Sequence, residues 1–173
     1  NASMRTFSVA GEHIRFGLAA VKNVGGGAVD AIIEARQTKG SYKHLQDFCE
    51  RVDLSRVNKR VAESLIKCGA FDFSGHARAA MAEGLEQVFE LAQKTQKERQ
   101  SGQSNIFGML SKTPGNSAAQ FRLPNVKEWD DADKLKLEKD GIGFYVTGHP
   151  LEKHLFAIKQ IATATTGDLA EYK

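Results

Sequence analysis

Long apolar runs are missing from this sequence of 173 residues, and so are the residue patterns that mark most enzymes. No stretch approaches the roughly 20 apolar residues of a membrane span, and the opening residues do not read as a signal peptide. The two cysteines, Cys49 and Cys68, are too few for a disulfide framework or a zinc site. Both stand among apolar neighbours and read as small buried hydrophobes of a reducing cytoplasm. There is no P-loop and no Ser-His-Asp or Cys-His arrangement with a positioning signal. Asp130, Asp131 and Asp133 open a hydrophilic helix and are not a carboxylate pair for two-metal chemistry. His149, followed by Pro150, has no acid or Cys at ligand spacing and reads as a turn residue. An excess of either charge is also lacking, since the net charge is +3. Its placement is uneven, however: residues 13–72 carry ten Lys or Arg against seven Asp or Glu, and residues 73–173 carry thirteen of each.

The basic region contains the most informative stretch, residues 18–37, in which an apolar segment runs into Gly25-Gly26-Gly27 and a second apolar segment starts at once. The pattern predicts two short helices about a tight glycine turn, with glycine serving both positive φ and close approach. The free amides at about Gly26, Gly27 and Ala28 would face outward at the positive end of the second helix, where an anion can approach. Apolar, Gly, any residue, Gly, then Ala31-Ile32-Ile33 is the helix-hairpin-helix pattern, which holds a nucleic-acid phosphate without reading bases. A plain αα-hairpin with a glycine turn is the competing reading.

A second helix–turn–helix follows. Residues 45–52 read as an amphipathic helix, 53–57 as a turn, and Asn58 as the N-cap of a helix over 59–68 that closes at Gly69. This turn lacks glycine and carries Arg56, Lys59 and Arg60, cations that oppose the dipole of the helix they begin and so point to a polyanionic partner, a merely solvated helix start being the competing reading. The reading is an internal duplication, one glycine hairpin and one basic hairpin packed as a four-helix unit, whose two phosphate grips would address both strands across one minor groove. Lys22 and Asn23 complete the candidate backbone contacts.

Elsewhere, residues 5–9 and 13–17 predict a β-hairpin. Ala77, Met81, Leu85, Val88 and Ala92 repeat at helical spacing and predict a long amphipathic helix over 76–93, followed by a frayed, solvated helix end or linker. Gln103-Ser104-Asn105-Ile106-Phe107 places two bulky apolar residues in polar surroundings, as a docking peptide would, although the pair also fits a fold-back onto its own domain. Residues 111–126 read as loop, 129–140 as a charged helix, and 151–161 as a last amphipathic helix. The fold class expected is mainly α: a tandem helix-hairpin-helix unit with a small N-terminal β-hairpin and C-terminal helical linker segments.

Residues 16–25, 31–36, 58–61, 65–72 and 143–151 closely resemble, in order and over nearly the whole chain, the C-family of bacterial replicative polymerases, the DNA polymerase III alpha subunits. The resemblance implies that the chain is a piece of a longer nucleotidyltransferase acting in DNA replication in the cytoplasm. Residues 1–3 then stand as a cloning remnant, 4–17 as a hairpin at the edge of the fingers, and 18–75 as the tandem DNA-binding domain. Residues 76–102 become the long helix and arm, 103–108 the sliding-clamp-binding motif, and 109–173 a linker leading to an oligonucleotide-binding domain. The implied partners are double-stranded DNA, the sliding clamp (through Gln103, Ser104, Asn105, Ile106 and Phe107) and other holoenzyme subunits. No catalytic residue, metal or cofactor is expected in this stretch, because Mg2+ would belong to a palm domain that nothing here matches. Two alternatives come from other classes. A stand-alone helix-hairpin-helix repair protein would need a catalytic Asp at a set distance after the hairpin and a base-flipping pocket, and neither is visible. A protein-interaction scaffold would use both hairpins for packing only.

Overall fold

A computed structural model describes residues 1–100, 121–164 and 167. The chain opens with strands β1 (Ser8–Ala10) and β2 (His13–Arg15), antiparallel with Val9 opposite Ile14, turning at Gly11 with φ +62°. They are shorter than the sequence predicts, and their neighbours bond onward: the Leu18 and Ala19 amides donate to the Met4 and Arg5 carbonyls. Phe7 and Phe144 each pack edge-to-face on Phe16, which ties the hairpin to a distant turn.

The tandem unit follows the predicted order with one change. Its first apolar segment is not an α-helix but a single 3-10 turn, Leu18–Ala20. Too few residues lie between Gly17 and the glycines to repay helix nucleation. Helices α1 (Gly26–Lys39), α2 (Leu45–Arg51) and α3 (Lys59–Lys67) then pack together. Helix α1 buries Ala28, Val29, Ala31 and Ile32, and α3 buries Val61, Ala62, Leu65 and Ile66, each a one-sided helical stripe. Fully burying a Val, Leu or Ile side chain contributes about 1.5–3 kcal/mol before ordering costs. Helix α3 begins at the predicted Asn58, whose side chain accepts the Val61 amide at 3.0 Å. It ends at Gly69, φ +78°, beyond which the Ala70 amide bonds back to the Leu65 carbonyl.

Helix α4 (Arg78–Gln100) lies across α2 and α3 and runs seven residues past the predicted end at residue 93. Of the two readings for this stretch it takes the solvated helix end, helical as far as Gln100, with Gln96 donating to the Cys49 and Val52 carbonyls at the end of α2 and Arg99 reaching Glu50. The start of α4 is capped from a distance, the Glu128 carboxylate accepting the amides of Arg78 (2.7 Å) and Ala79 (3.0 Å). Residues 121–126 lie against α4 so closely that a Cβ on Gly84 would stand 2.9 Å from Leu123.

Helix α5 (Asp131–Ile142), capped by Asp130 at one end and by Gly143 in the left-handed region at the other, packs on α3. Its docking is ionic: Arg78, 3% exposed, donates to Glu138, 0% exposed, at 2.9 Å and grips both oxygens of Asp72. Helix α6 (Leu155–Ile161) follows a 3-10 turn, with Phe156 and Ile161 open to solvent.

Candidate nucleic-acid interface

The site begins where α1 begins. Gly25 is the N-cap at φ −72°, ψ 159°, and its carbonyl takes the amides of both Ala28 and Val29. Ala28 is therefore not one of the outward amides the sequence suggests. The Gly26 and Gly27 amides make no hydrogen bond among the described residues, and they point from the helix end that carries the positive partial charge.

The reason for glycine also differs from the sequence reading. None of the three has positive φ; that conformation falls on Asn23, φ +67°, whose side-chain amide is tied to Ser64 Oγ at 3.2 Å. Packing does not call for glycine either. A Cβ on Gly25 would meet nothing within 4 Å, and one on Gly27 only Arg56 Nε at 3.8 Å. One on Gly26 would meet the Arg5 guanidinium at 2.6 Å, the movable end of a side chain whose other nitrogen pairs with Asp30. Ordinary dihedrals at all three, with open space at Gly25 and Gly27, leave access from outside as what glycine preserves there.

The second hairpin brings its cations to the same place. Asp53 builds the turn, accepting the Ser55 amide and hydroxyl and, through its carbonyl, the amides of Arg56 and Val57. Hydrogen bonds from Ser55 hold the Asp53 carboxyl below the usual carboxylate range. Arg56, projecting from this turn, stands over Gly27 and 3.7 Å from Glu34 of α1. Thus a cation of the second hairpin flanks the open amides of the first. Lys59 is exposed and paired with Glu86 of α4, while Arg60 is exposed with no ion pair among the described residues. Asn58 Oδ1 is spent on capping α3.

The candidates therefore divide. Gly25, Gly26, Gly27 and Arg56 converge, and Lys59 and Arg60 lie in the first turn of α3. The Lys22 side chain is exposed, and its amide is bound to the Gly141 carbonyl at 2.8 Å. Gln103, Ser104, Asn105, Ile106 and Phe107 lie outside the described residues. Sequence reasoning missed Arg5, which reaches Gly26 from a different element, and Gly141; sequence separations of 21 and 119 residues leave no local signal for either.

Among the described residues no three or more His, Cys, Asp or Glu side chains are grouped to hold a metal ion, and no helix is long and apolar enough to cross a membrane. Burial pushes the Cys68 thiol up to about 11 and that of Cys49 further, so neither is a thiolate at neutral pH.

The family model of the helix-hairpin-helix motif matches residues 1–81. The chain is 39% identical over 168 residues to the DNA polymerase III subunit alpha of Mycobacterium tuberculosis (strain ATCC 25618 / H37Rv), covering 95% of this chain and 14% of that protein. It is 36% identical over 157 residues to that of Vibrio cholerae, covering 91% and 13%. With that of Thermus aquaticus it is 37% identical over 172 residues, covering 99% and 13%. It thus spans about one seventh of the length of the curated relatives it matches.

Proposed function

The chain belongs, over the stretch it matches, to the bacterial DNA polymerase III alpha subunit family, and on that premise we propose that it grips the backbone of duplex DNA without reading sequence. The observation that carries this is the pair of open amides on Gly26 and Gly27, with Arg56 beside them and free space where a side chain on Gly27 would stand. A phosphate oxygen fits that arrangement: two N–H donors, a helix dipole and a guanidinium all favour negative charge. Arg60, Lys59 and Lys22 add exposed cations that position a second strand's phosphates. None of these groups needs a base edge, so affinity comes from the backbone.

In the longer protein this grip would hold the duplex while polymerisation proceeds in a domain outside the chain. Gln103–Phe107 would tether the whole to the sliding clamp: Gln103 supplies orienting hydrogen bonds and Ile106 with Phe107 the apolar anchor. Tethering raises effective concentration on DNA without a new DNA contact, which is what a replicative enzyme with a sequence-blind grip needs. The cytoplasm and the other holoenzyme subunits complete the setting.

A titration of the chain with mixed-sequence duplexes at several salt concentrations tests the grip. Four to six neutralised phosphates give a slope of log K against log salt of roughly −4 to −5, about −0.9 per contact. A flat salt response would favour a packing scaffold, and strong preference for one sequence or for a damaged base would favour a repair protein.

A further inference from the structure

We infer that α5 and the turn after it, which lie beyond the residues matched by the motif family, hold the loop of the first hairpin in place for its phosphate, so that Glu138 and Gly141 are positioning residues of the grip. This rests on the proposed grip of duplex DNA.

The loop from Val21 to Gly25 has little structure of its own. Its local bonds are four: the Val21 amide to the Leu18 carbonyl, the Val24 amide to the Val21 carbonyl, and the Ala28 and Val29 amides to the Gly25 carbonyl. Its other ties come from distant elements. The Lys22 amide donates to Gly141 at 2.8 Å, and Asn23, at a φ that a non-glycine residue keeps only when held, is tied to Ser64 of α3. Gly141 lies in the last turn of α5, where carbonyls lack a partner within the helix, so one bond satisfies both segments.

Helix α5 is itself fixed through Glu138. One carboxylate oxygen takes Arg78; the other takes the amides of Val146 (2.7 Å) and Thr147 (3.0 Å), which folds the following turn back onto the helix. Arg78 also holds Asp72 and the Lys67 carbonyl. An unbroken path of contacts therefore runs from the end of α3 through Arg78, Glu138, α5 and Gly141 to Lys22, three residues before the Gly25 cap. A loop already ordered binds a phosphate without the entropic loss of ordering it. Releasing even one of its residues costs roughly ten-fold in affinity.

Two variants test this in the full chain: Glu138→Gln, which removes the charge at constant shape, and Gly143→Ala, which disfavours the left-handed turn ending α5 and leaves the buried pair alone. Fluorescence anisotropy with a mixed-sequence duplex reads affinity and salt slope, and amide exchange by NMR reads the Lys22–Gly141 bond. Faster exchange at Lys22, a loss of affinity of about ten-fold and a salt slope equal to the parent's are expected, because no phosphate contact is removed. Should Glu138→Gln fail to fold, Gly143→Ala carries the comparison. Freed Lys22 with affinity within two-fold of the parent's would overturn the inference, as would a slope shallower by about one, the mark of a lost phosphate contact. If the parent binds no duplex, the proposed grip fails first and this inference falls with it; a parent that binds beside variants that bind equally well defeats this inference alone.

Discussion

Substituting Gly27 separates two reasons a glycine can stand at a helix start. Were it needed for a left-handed backbone, any side chain would cost of the order of 1–3 kcal/mol and lower the melting temperature by several degrees. Gly27 has ordinary helical dihedrals, and a Cβ there would meet only Arg56 Nε at 3.8 Å. Gly27→Ala should then gain about 0.4–1 kcal/mol through helix propensity and reduced unfolded-chain freedom. For a chain of this size that is roughly +1 to +4 °C. Gly27→Val, whose branched side chain offsets most of that gain, should leave Tm near the parent's. Duplex binding should move the other way. A phosphate oxygen within about 2.9 Å of the amide must pass where the valine methyls would stand, and a lost charge-assisted hydrogen bond of about 1.5–3 kcal/mol is ten- to a hundred-fold in Kd. Calorimetry and anisotropy on the same samples decide it. A valine variant that binds as the parent does, or that melts more than about 5 °C lower, would refute the reasoning.

Arg60→Ala should weaken all duplex sequences alike and flatten the salt slope by about one, whereas Lys59→Ala should do less because Glu86 already engages that lysine. Ile106→Ala with Phe107→Ala should abolish binding to a sliding clamp, read by surface plasmon resonance, and leave both Tm and the duplex titration unchanged; an unfolded double variant would make the pair core. Burial raises the Glu128 carboxyl, but the amides of Ala79, Arg78 and Trp129 outweigh it and hold it below the usual range. A depressed pKa contributes stability above the ordinary value of 4.5 that is lost as pH falls through the folded value. Glu128→Gln should thus melt a few degrees lower at pH 7 and show a shallower decline below pH 4.5 than the parent.

What the sequence made legible was local. Asn58 and Gly69 bracket α3 because a side-chain cap and a left-handed stop act within a few residues, and the stripe from Met81 to Ala92 identifies α4 because periodicity needs no partner. Two features escaped because their causes lie elsewhere in the chain. The solvated residues after Gln93 give no sign that Gln96 closes the end of α2. The charged sequence of α5 gives no hint that Glu138 is its buried acid, since the guanidinium it meets is sixty residues earlier. At the candidate interface the glycines and cations were legible as residue types, but not the reason for glycine, which turns on dihedrals and clearances no spacing encodes.

The long-range cap on α4 bears on the order in which the chain assembles. The amides of Arg78 and Ala79 wait for Glu128, and the Arg78 guanidinium for Glu138, fifty and sixty residues further on. On a ribosome adding about 5–20 residues per second, that is a delay of several seconds. The hairpin core, whose buried residues fall between Val21 and Ala92, can consolidate in that interval with Arg78 still in water. Removing that cation from solvent is affordable only once its second carboxylate arrives. Helix α5, which docks on the core late, is therefore also the one that ties down the loop beside the glycines, so the proposed phosphate seat would be completed late.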